Sequence, residues 1–191
     1  MEQVTDCLET LMRDTLNMNF NSKKMKKVDC PFGEGHRLKL RNWCFLLCLL
    51  QLLDPEVYTE EFRRRRVAMG RGDIVADVLK GVWEVIKQNN LASIRQYIEV
   101  FMIKFILKFP DLALSDPSFF QILLDPKITR PQISSSMLTI VGTILISNLN
   151  TTSAVSFKKK IFENLLAFTV SNSAHSRCIS QYYLLKLQSD P

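Results

Sequence analysis

The sequence predicts an all-α fold, specifically an α-solenoid of about four helix pairs of the HEAT or armadillo class. Apolar residues recur at three- and four-residue spacing in nearly every segment, as they do on one face of a helix. No segment shows the sustained apolar–polar alternation that is typical of a β-strand. The chain has 191 residues, of which 47% are hydrophobic and 23% charged, and this is the composition of a globular domain.

Four helices are predicted in the first half of the chain. The first carries the apolar stripe from Val4 to Leu16, and the second extends from about Arg37 to Leu53, where an Asp-Pro step follows. Asp73 has the side chain and the position of an N-cap for the third helix, which is rich in Val and Ile. The fourth begins near Ala92 and ends before Pro110.

The second half is predicted to hold four more helices. Proline suits the first position of a helix because its missing N–H would have no partner there, so Pro117 and Pro131 are each expected to open one. Apolar spacing predicts another from Val155 to Val170. Ser173 is expected to cap the last, from Ala174 to Leu187.

A shared pattern indicates that the helix pairs repeat. An apolar or small residue followed by Arg is succeeded by apolar or small residues at three-residue steps, at Arg41, Arg95 and Arg177. The last two arginines are 82 residues apart, or two steps of 41, which suits a repeat of two helices. Arg41 and Arg95 are 54 apart, so residues 57–72 are predicted to form a basic loop insertion. We expect the three arginines to form hydrogen bonds between repeats. The alternative to a repeat fold is a compact irregular bundle, which would bury the same apolar stripes.

Residues of the kind that carry catalysis or bind metals are few and scattered. Cys30 and His36 flank a glycine-containing turn, but a structural zinc site needs four ligands in paired spacing, and the sequence has no second pair. His175 lies beside Ser173 and Ser176 at a predicted helix start, where helix capping explains them without a catalytic role. The sequence therefore predicts no catalytic, cofactor-binding or metal-binding residue.

Cysteine usage and hydropathy bear on the compartment. The five cysteines lack disulfide-framework spacing, and Cys44 and Cys48 lie in an apolar helix, where reduced thiols would act as small hydrophobic side chains. This favours a reducing, cytoplasmic or nuclear location. The N-terminus shows no secretory signal, and the apolar runs are shorter than the about 20 residues that cross a bilayer, so no membrane contact is expected.

Basic clusters are the strongest indication of a ligand. The net charge of +6 permits contact with nucleic acid without requiring it. Such clusters could neutralise RNA phosphates, or they could be solvated faces of the fold, and both alternatives stay open. The candidate RNA-binding residues are Arg63, Arg64, Arg65, Arg66, Arg71, Lys23, Lys24, Lys26 and Lys27.

Several segments resemble a known family. The stretch CPFGEGHRLKLRNWCFLLCLLQLLDPE, Cys30 to Glu56, closely resembles the late helical-repeat region of the large animal tRNA (guanosine-2′-O)-methyltransferases of the SPOUT family. The similarity extends upstream over Cys7 to Asp29 and returns at Asn89 to Glu99 and Lys108 to Pro110. The final stretch, Ser176 to Leu187, is similar to a further arginine-bearing repeat helix, whereas the basic insertion does not resemble the family.

The resemblance implies a function for a larger enzyme. Members of the family transfer a methyl group from S-adenosylmethionine to a ribose hydroxyl of a tRNA guanosine. The reaction takes place in a C-terminal knotted α/β domain. None of the family's catalytic or cofactor-binding residues corresponds to a position in this chain. The resemblance therefore implies a non-catalytic helical-repeat region that helps to bind or position tRNA or organises the enzyme. The alternative is an interaction scaffold whose solenoid face holds a protein partner.

Overall fold

The computed structural model describes residues 2–21, 33–88, 90–114 and 131–189, and all regular secondary structure in these ranges is helical. The predicted all-α class is confirmed. No helix in these ranges has the length and apolar character that crossing a bilayer would require. The helix predicted at Pro117 and the four candidate lysines, Lys23, Lys24, Lys26 and Lys27, lie outside the described residues. The helices are α1 (Glu2–Asn21), α2 (Glu34–Leu52), α3 (Glu60–Ala68), α4 (Ile74–Ile86), α5 (Ala92–Lys108), α6 (Pro110–Ala113), α7 (Pro131–Ile146), α8 (Thr152–Phe168) and α9 (Ala174–Ser189).

Local capping chemistry sets where several helices begin. A carboxylate oxygen of Asp73 accepts the N–H of Val75 at 3.0 Å, and α4 begins one residue after Asp73. The hydroxyl of Ser173 accepts the N–H of Ser176 at 3.3 Å at the start of α9. Both predicted N-caps are confirmed, and α7 begins at Pro131 as predicted.

α3 lies where the sequence predicted a loop insertion, and that part of the prediction is wrong. The hydroxyl of Thr59 accepts the N–H of Phe62 at 3.2 Å and caps the helix. α3 has no apolar stripe to indicate it, because four of its nine residues are arginines. Instead, each of its four arginines forms an ion pair with a carboxylate, and hydrophobic periodicity does not reveal such pairs.

The first of two compact units, Met1–Phe101, has α1 packed against both α2 and α4. Trp43 of α2 is fully buried and meets the ring of Phe101 in α5 edge-on, with 5.5 Å between ring centroids. The side-chain amide of Asn42 in α2 donates to that of Asn19 in α1 at 3.4 Å. Neighbouring helices thus cover one another's apolar faces, which is the packing expected of helix-pair repeats.

The second unit, Met102–Pro191, is built on the packing of α7 against α9, and α8 packs against both. Gly142 lets the ring of Tyr183 lie directly against α7, since a Cβ at this glycine would stand 2.1 Å from Cδ2 of the ring. The hydroxyl of Tyr183 donates to the carbonyl of Thr139 at 3.2 Å and lies 2.9 Å from the hydroxyl of Thr143. The ring therefore fixes how these two helices pack.

Burial corrects the register of the predicted repeat in α2. Ile94 and Ser176, which precede the pattern's arginines in α5 and α9, are buried, but in α2 the buried residue is Lys39 rather than Leu40. Arg41 is therefore one residue away from the position that matches Arg95 and Arg177. The buried residues that follow at the same spacing are Trp43 and Leu46 in α2, Ile98 and Phe101 in α5, and Ser180 and Tyr183 in α9.

Arg177 was expected to form a hydrogen bond between repeats, but its bonds in the structure lie within one helix pair. Its guanidinium donates to the carbonyls of Ser171 and Asn172, at 2.6 and 3.2 Å, in the turn that connects α8 to α9. The arginine therefore closes the turn of its own helix pair. These bonds satisfy carbonyl groups of the connecting turn, which lies beyond the end of α8.

The two cysteines of α2, Cys44 and Cys48, are both exposed. Cys44 directly follows the buried Trp43, and Cys48 lies one turn further along α2. The pKa of Tyr97 in α5 lies above its ordinary value, chiefly because of its interaction with the neighbouring Cys44. Apolar neighbours in the sequence did not identify which face of α2 is covered.

Candidate functional site

The arginine run, the first candidate for RNA contact, lies in α3 and divides into exposed and buried members. Arg64 and Arg65 project into solvent and pair with Glu60 and Glu61, one turn earlier, at 2.5 and 3.2 Å. Pairs of this spacing contribute about 0.3 to 0.5 kcal/mol each to a helix. These two guanidinium groups keep most of their surface accessible to a ligand.

Arg66 is buried and anchors α3 to α1. Its two terminal nitrogens donate to Asp6 and Glu9, and Glu9 is only 1% exposed. Arg71 donates to the other oxygen of Asp6, and Arg13 lies 3.4 Å from Glu9. Three arginines thus surround two carboxylates of α1, so the negative charge buried at Glu9 is compensated.

The pKa values in this cluster follow from its geometry. The hydrogen bond from Arg66 is the largest reason why the pKa of Asp6 lies below its ordinary value. Burial by itself would lower the pKa of Arg66, but the hydrogen bonds to Glu9 and Asp6 outweigh it and raise that pKa. Burial, followed by the charge of Glu9, raises the pKa of the neighbouring Tyr58. Asp6 and Arg66 therefore stay charged and Tyr58 stays neutral at neutral pH.

A second set of ion pairs involves α4. Arg63 of α3 lies 3.3 Å from Asp73, the residue that caps α4. Arg13 of α1 donates to Asp77 of α4 at 2.8 Å. The arginine-rich segment therefore links α1, α3 and the start of α4, which is a structural role.

The predicted RNA-binding set is thus only partly available to a ligand. Arg63 and Arg66 are engaged in ion pairs between helices, and Arg71 is paired with Asp6 while remaining half-exposed. Arg64 and Arg65 stay accessible, and for them RNA contact remains a prediction. The candidate lysines lie outside the described residues, so only the arginines can be placed.

A groove at the start of α2 adds two basic residues that the candidate set did not include. It has a volume of about 390 Å³ and is lined by Arg37 and Arg41 together with Glu34 and Leu38. Both arginines are exposed, whereas Lys39 between them is 2% exposed and burial lowers its pKa. Their spacing of four residues in a predicted helix was the available signal, since it places both on one face.

Exposed apolar residues form a row along α1 and another along α2, and sequence reasoning missed both. The shared feature is a seven-residue spacing, which keeps large apolar side chains on one side of a helix. An exposed cysteine lies within each row: Cys7 between Val4 and Leu11 on α1, and Cys48 between Phe45 and Leu52 on α2. The rows consist of Val4, Leu11 and Met18 on α1 and of Leu38, Phe45 and Leu52 on α2.

Both rows lie on the side of the α1–α2 pair that faces away from α4 and α5. On α1, Arg13 points to α4 and Asn19 to α2, and the row occupies the remaining side. On α2, Trp43 points to α5 and Asn42 to α1, which again leaves the row on the outer side. We call the two rows together the outer apolar face of the first unit.

The second unit also exposes apolar side chains. On α8 the exposed apolar side chains share one side of the helix. On α9 one aromatic and one aliphatic side chain lie one turn apart, near an exposed cysteine. They do not include the buried stripe of α8, which contains Phe157 and Ile161. The exposed set is Val155, Phe162 and Leu166 on α8, and Cys178, Tyr182 and Leu185 on α9.

Each of the two units contains one histidine. Nε2 of His36 lies 3.2 Å from the hydroxyl of Ser93, which links α2 to α5. His175 is exposed in the first turn of α9. Within the described ranges, no three His, Cys, Asp or Glu side chains are grouped so that they could hold a metal ion. Cys30 lies outside those ranges.

The sequence was also compared with known proteins. No family model matches it, and neither a curated protein nor a solved structure does.

Proposed function

We propose that this chain is a non-catalytic helical-repeat segment of a tRNA (guanosine-2′-O)-methyltransferase, and that it organises the enzyme by packing against further helix pairs. The enzyme class rests on the resemblance of the sequence. The observation that supports an organising role is the outer apolar face of the first unit, formed by the rows on α1 and α2.

An exposed apolar face on a helix pair indicates that another element packs against it. A helix pair in a repeat protein covers its apolar surface by stacking on its neighbours, and the pairs that end such an array carry a polar outer face. Leu52 is 63% exposed and Val4 64% exposed, and both belong to regularly spaced rows rather than to scattered positions. An apolar face of this kind marks a surface that packs against another element.

The same proposal assigns a supporting role in tRNA binding to exposed arginines. Arg64 and Arg65 on α3, with Arg37 and Arg41 on α2, offer guanidinium groups to phosphates, and all four belong to the first unit. S-adenosylmethionine and the methyl transfer belong, in this proposal, to the enzyme's catalytic domain. Purified residues 1–191 should therefore transfer no methyl group to tRNA, and measurable transfer would contradict the proposal.

The tRNA-binding role is tested by the salt dependence of binding of unmodified tRNA to the purified chain. Removing one arginine that pairs with a phosphate should reduce the slope of log affinity against log salt by roughly 0.7 to 0.9. We expect this change in Arg64→Ala and not in Lys87→Ala, which removes an equally charged, half-exposed side chain from the end of α4. Binding that is insensitive to salt, or equal reductions in both variants, would refute the role.

A protein-interaction scaffold is the second candidate, and the outer apolar face favours it too. In that case a stoichiometric protein partner should remain bound after RNase treatment and be released in Phe45→Glu. The tRNA affinity of that variant should be unchanged, which distinguishes the two candidates.

A further inference from the structure

The turn between α3 and α4 holds an arginine between two glycines, Gly70-Arg71-Gly72. Both glycines have a φ of 74°, in the left-handed region that side chains disfavour. The N–H of Arg71 donates to the carbonyl of Arg66 at 3.0 Å, and that of Gly70 to the carbonyl of Val67 at 2.9 Å. This pair of bonds is a Schellman motif, so the chain leaves the helix at Gly70 and presents Arg71 on a defined turn.

The turn is open on its outer side. A Cβ at Gly70 would meet no atom within 4 Å, and the neighbouring Val67 and Met69 are exposed. The side chain of Arg71 is 47% exposed, whereas that of Arg66 is 8% exposed. Another protein can therefore reach Arg71 but not Arg66.

We propose that Arg71 is a methylation site for a protein arginine methyltransferase that recognises arginine between glycines. The reacting guanidinium nitrogen attacks the methyl carbon of S-adenosylmethionine, an N–C bond forms, and the S–C bond breaks. S-adenosylhomocysteine leaves, and the nitrogen gives up a proton to a base of the modifying enzyme. Flanking glycines favour the reaction because they carry no Cβ to keep the substrate backbone from the rim of a deep arginine pocket.

The ion pair with Asp6 makes the modification consequential. Arg71 and Arg66 donate to different oxygens of the same Asp6 carboxylate, which belongs to α1. A methylated guanidinium keeps its positive charge but loses N–H donors. Methylation at Arg71 therefore weakens the bond between this turn and α1 while the buried pair of Arg66 with Glu9 remains. Conversely, the bond to Asp6 must open before Arg71 can enter an active site.

The test treats the full chain with a purified protein arginine methyltransferase of this specificity and S-adenosylmethionine, and locates methyl groups by peptide mass spectrometry. We expect methylation at Arg71 in the chain without substitutions. Methylation at this position should be lost completely in Arg71→Lys, which keeps the positive charge. Arg64→Lys is the matched control, because Arg64 is more exposed but lies inside α3 without glycine neighbours. That variant should be methylated at Arg71 at the original rate.

The Asp6→Asn variant tests whether the ion pair limits access. Its initial rate of methylation at Arg71 is expected to rise about two- to fivefold, in line with the small free energy of a partly exposed ion pair. Circular dichroism checks that the variant keeps its helical content. No methylation of Arg71 by an enzyme that modifies a glycine–arginine control peptide, or methylation at Arg64 and Arg65 instead, would overturn the proposal. An unchanged rate in Asp6→Asn would overturn the part played by Asp6.

Discussion

Gly142 lies in α7 beneath the ring of Tyr183, and replacing it by alanine should destabilise the second unit. The new Cβ would stand 2.1 Å from Cδ2, 2.3 Å from Cγ and 2.4 Å from Cε2 of the ring. Ordinary van der Waals separation begins at about 3.4 Å, so the ring would have to move by roughly 1 Å. That movement strains or breaks the bonds of the Tyr183 hydroxyl with Thr139 and Thr143.

The magnitude follows from three contributions. Overpacking a buried site costs about 1 to 3 kcal/mol, and breaking one hydrogen bond costs about 0.5 to 1.5 kcal/mol. Alanine in a helix interior returns about 1 kcal/mol relative to glycine. We therefore expect Gly142→Ala to lower the free energy of unfolding by about 1 to 3 kcal/mol. Urea denaturation followed by circular dichroism measures this as a lower midpoint with an unchanged slope.

A double-mutant cycle supplies the control. In a Tyr183→Ala background the ring is absent, so Gly142→Ala should become neutral or stabilising by up to about 1 kcal/mol. If Gly142→Ala is as stable as the unmodified chain, or if its effect persists without the ring, the close packing of α7 against α9 is refuted.

Three further changes address charged residues of the first unit. Glu9→Leu leaves Arg66 partly uncompensated and should cost about 3 kcal/mol in urea denaturation, whereas Glu61→Leu on the exposed side of α3 should cost about 0.5 kcal/mol or less; equal costs would contradict this. The pKa of Asp6 is depressed in the fold, so its contribution is present above about pH 4 and disappears as the pH falls further. The melting temperature should therefore drop less on acidification in Asp6→Asn than in the unmodified chain. Lys39→Met should stabilise the fold by about 1 to 3 kcal/mol at pH 7, because burial opposes the charged form of Lys39. This gain should shrink as the pH rises towards the ordinary lysine pKa of 10.5, because the lowered pKa lets the folded-state lysine lose its proton first, and a gain that grows with pH would refute the reasoning.

Local chemistry explains which elements the sequence revealed. The starts of α4 and α9 were predicted because Asp73 and Ser173 form their caps with residues two or three positions away. α3 was missed because its arginines form ion pairs, some with nearby and some with distant carboxylates, instead of an apolar stripe. The pairs with Glu60 and Glu61 are local and could have been found from their four-residue spacing.

The rest of the arginine cluster depends on partners far away in the sequence. Arg66 pairs with Asp6 and Glu9, which are more than fifty residues distant, and no local pattern indicates such a pairing. The sequence left open whether the arginine run contacts RNA or is a solvated face, and it did not show that the run is divided between a buried and an exposed side of α3. Charge density along a sequence does not show which charges are already compensated.

The outer apolar face shows a similar limit. The seven-residue spacing of Leu38, Phe45 and Leu52 is visible in the sequence, but so is the buried stripe that contains Trp43 and Leu46. Which of two apolar stripes on one helix is covered depends on the positions of α1 and α5. The sequence alone therefore indicated helix packing without showing which surface remains exposed.

The most direct test of the proposed packing surface is sedimentation equilibrium of the purified chain over a range of concentrations. Exposed rows that normally pack against other helices should make the isolated chain associate as its concentration rises. The double variant Leu11→Glu/Phe45→Glu, with one charge in each row, should remain monomeric at the same helical content. A chain that is monomeric at every concentration, or a variant that associates as strongly as the unmodified protein, would contradict the account.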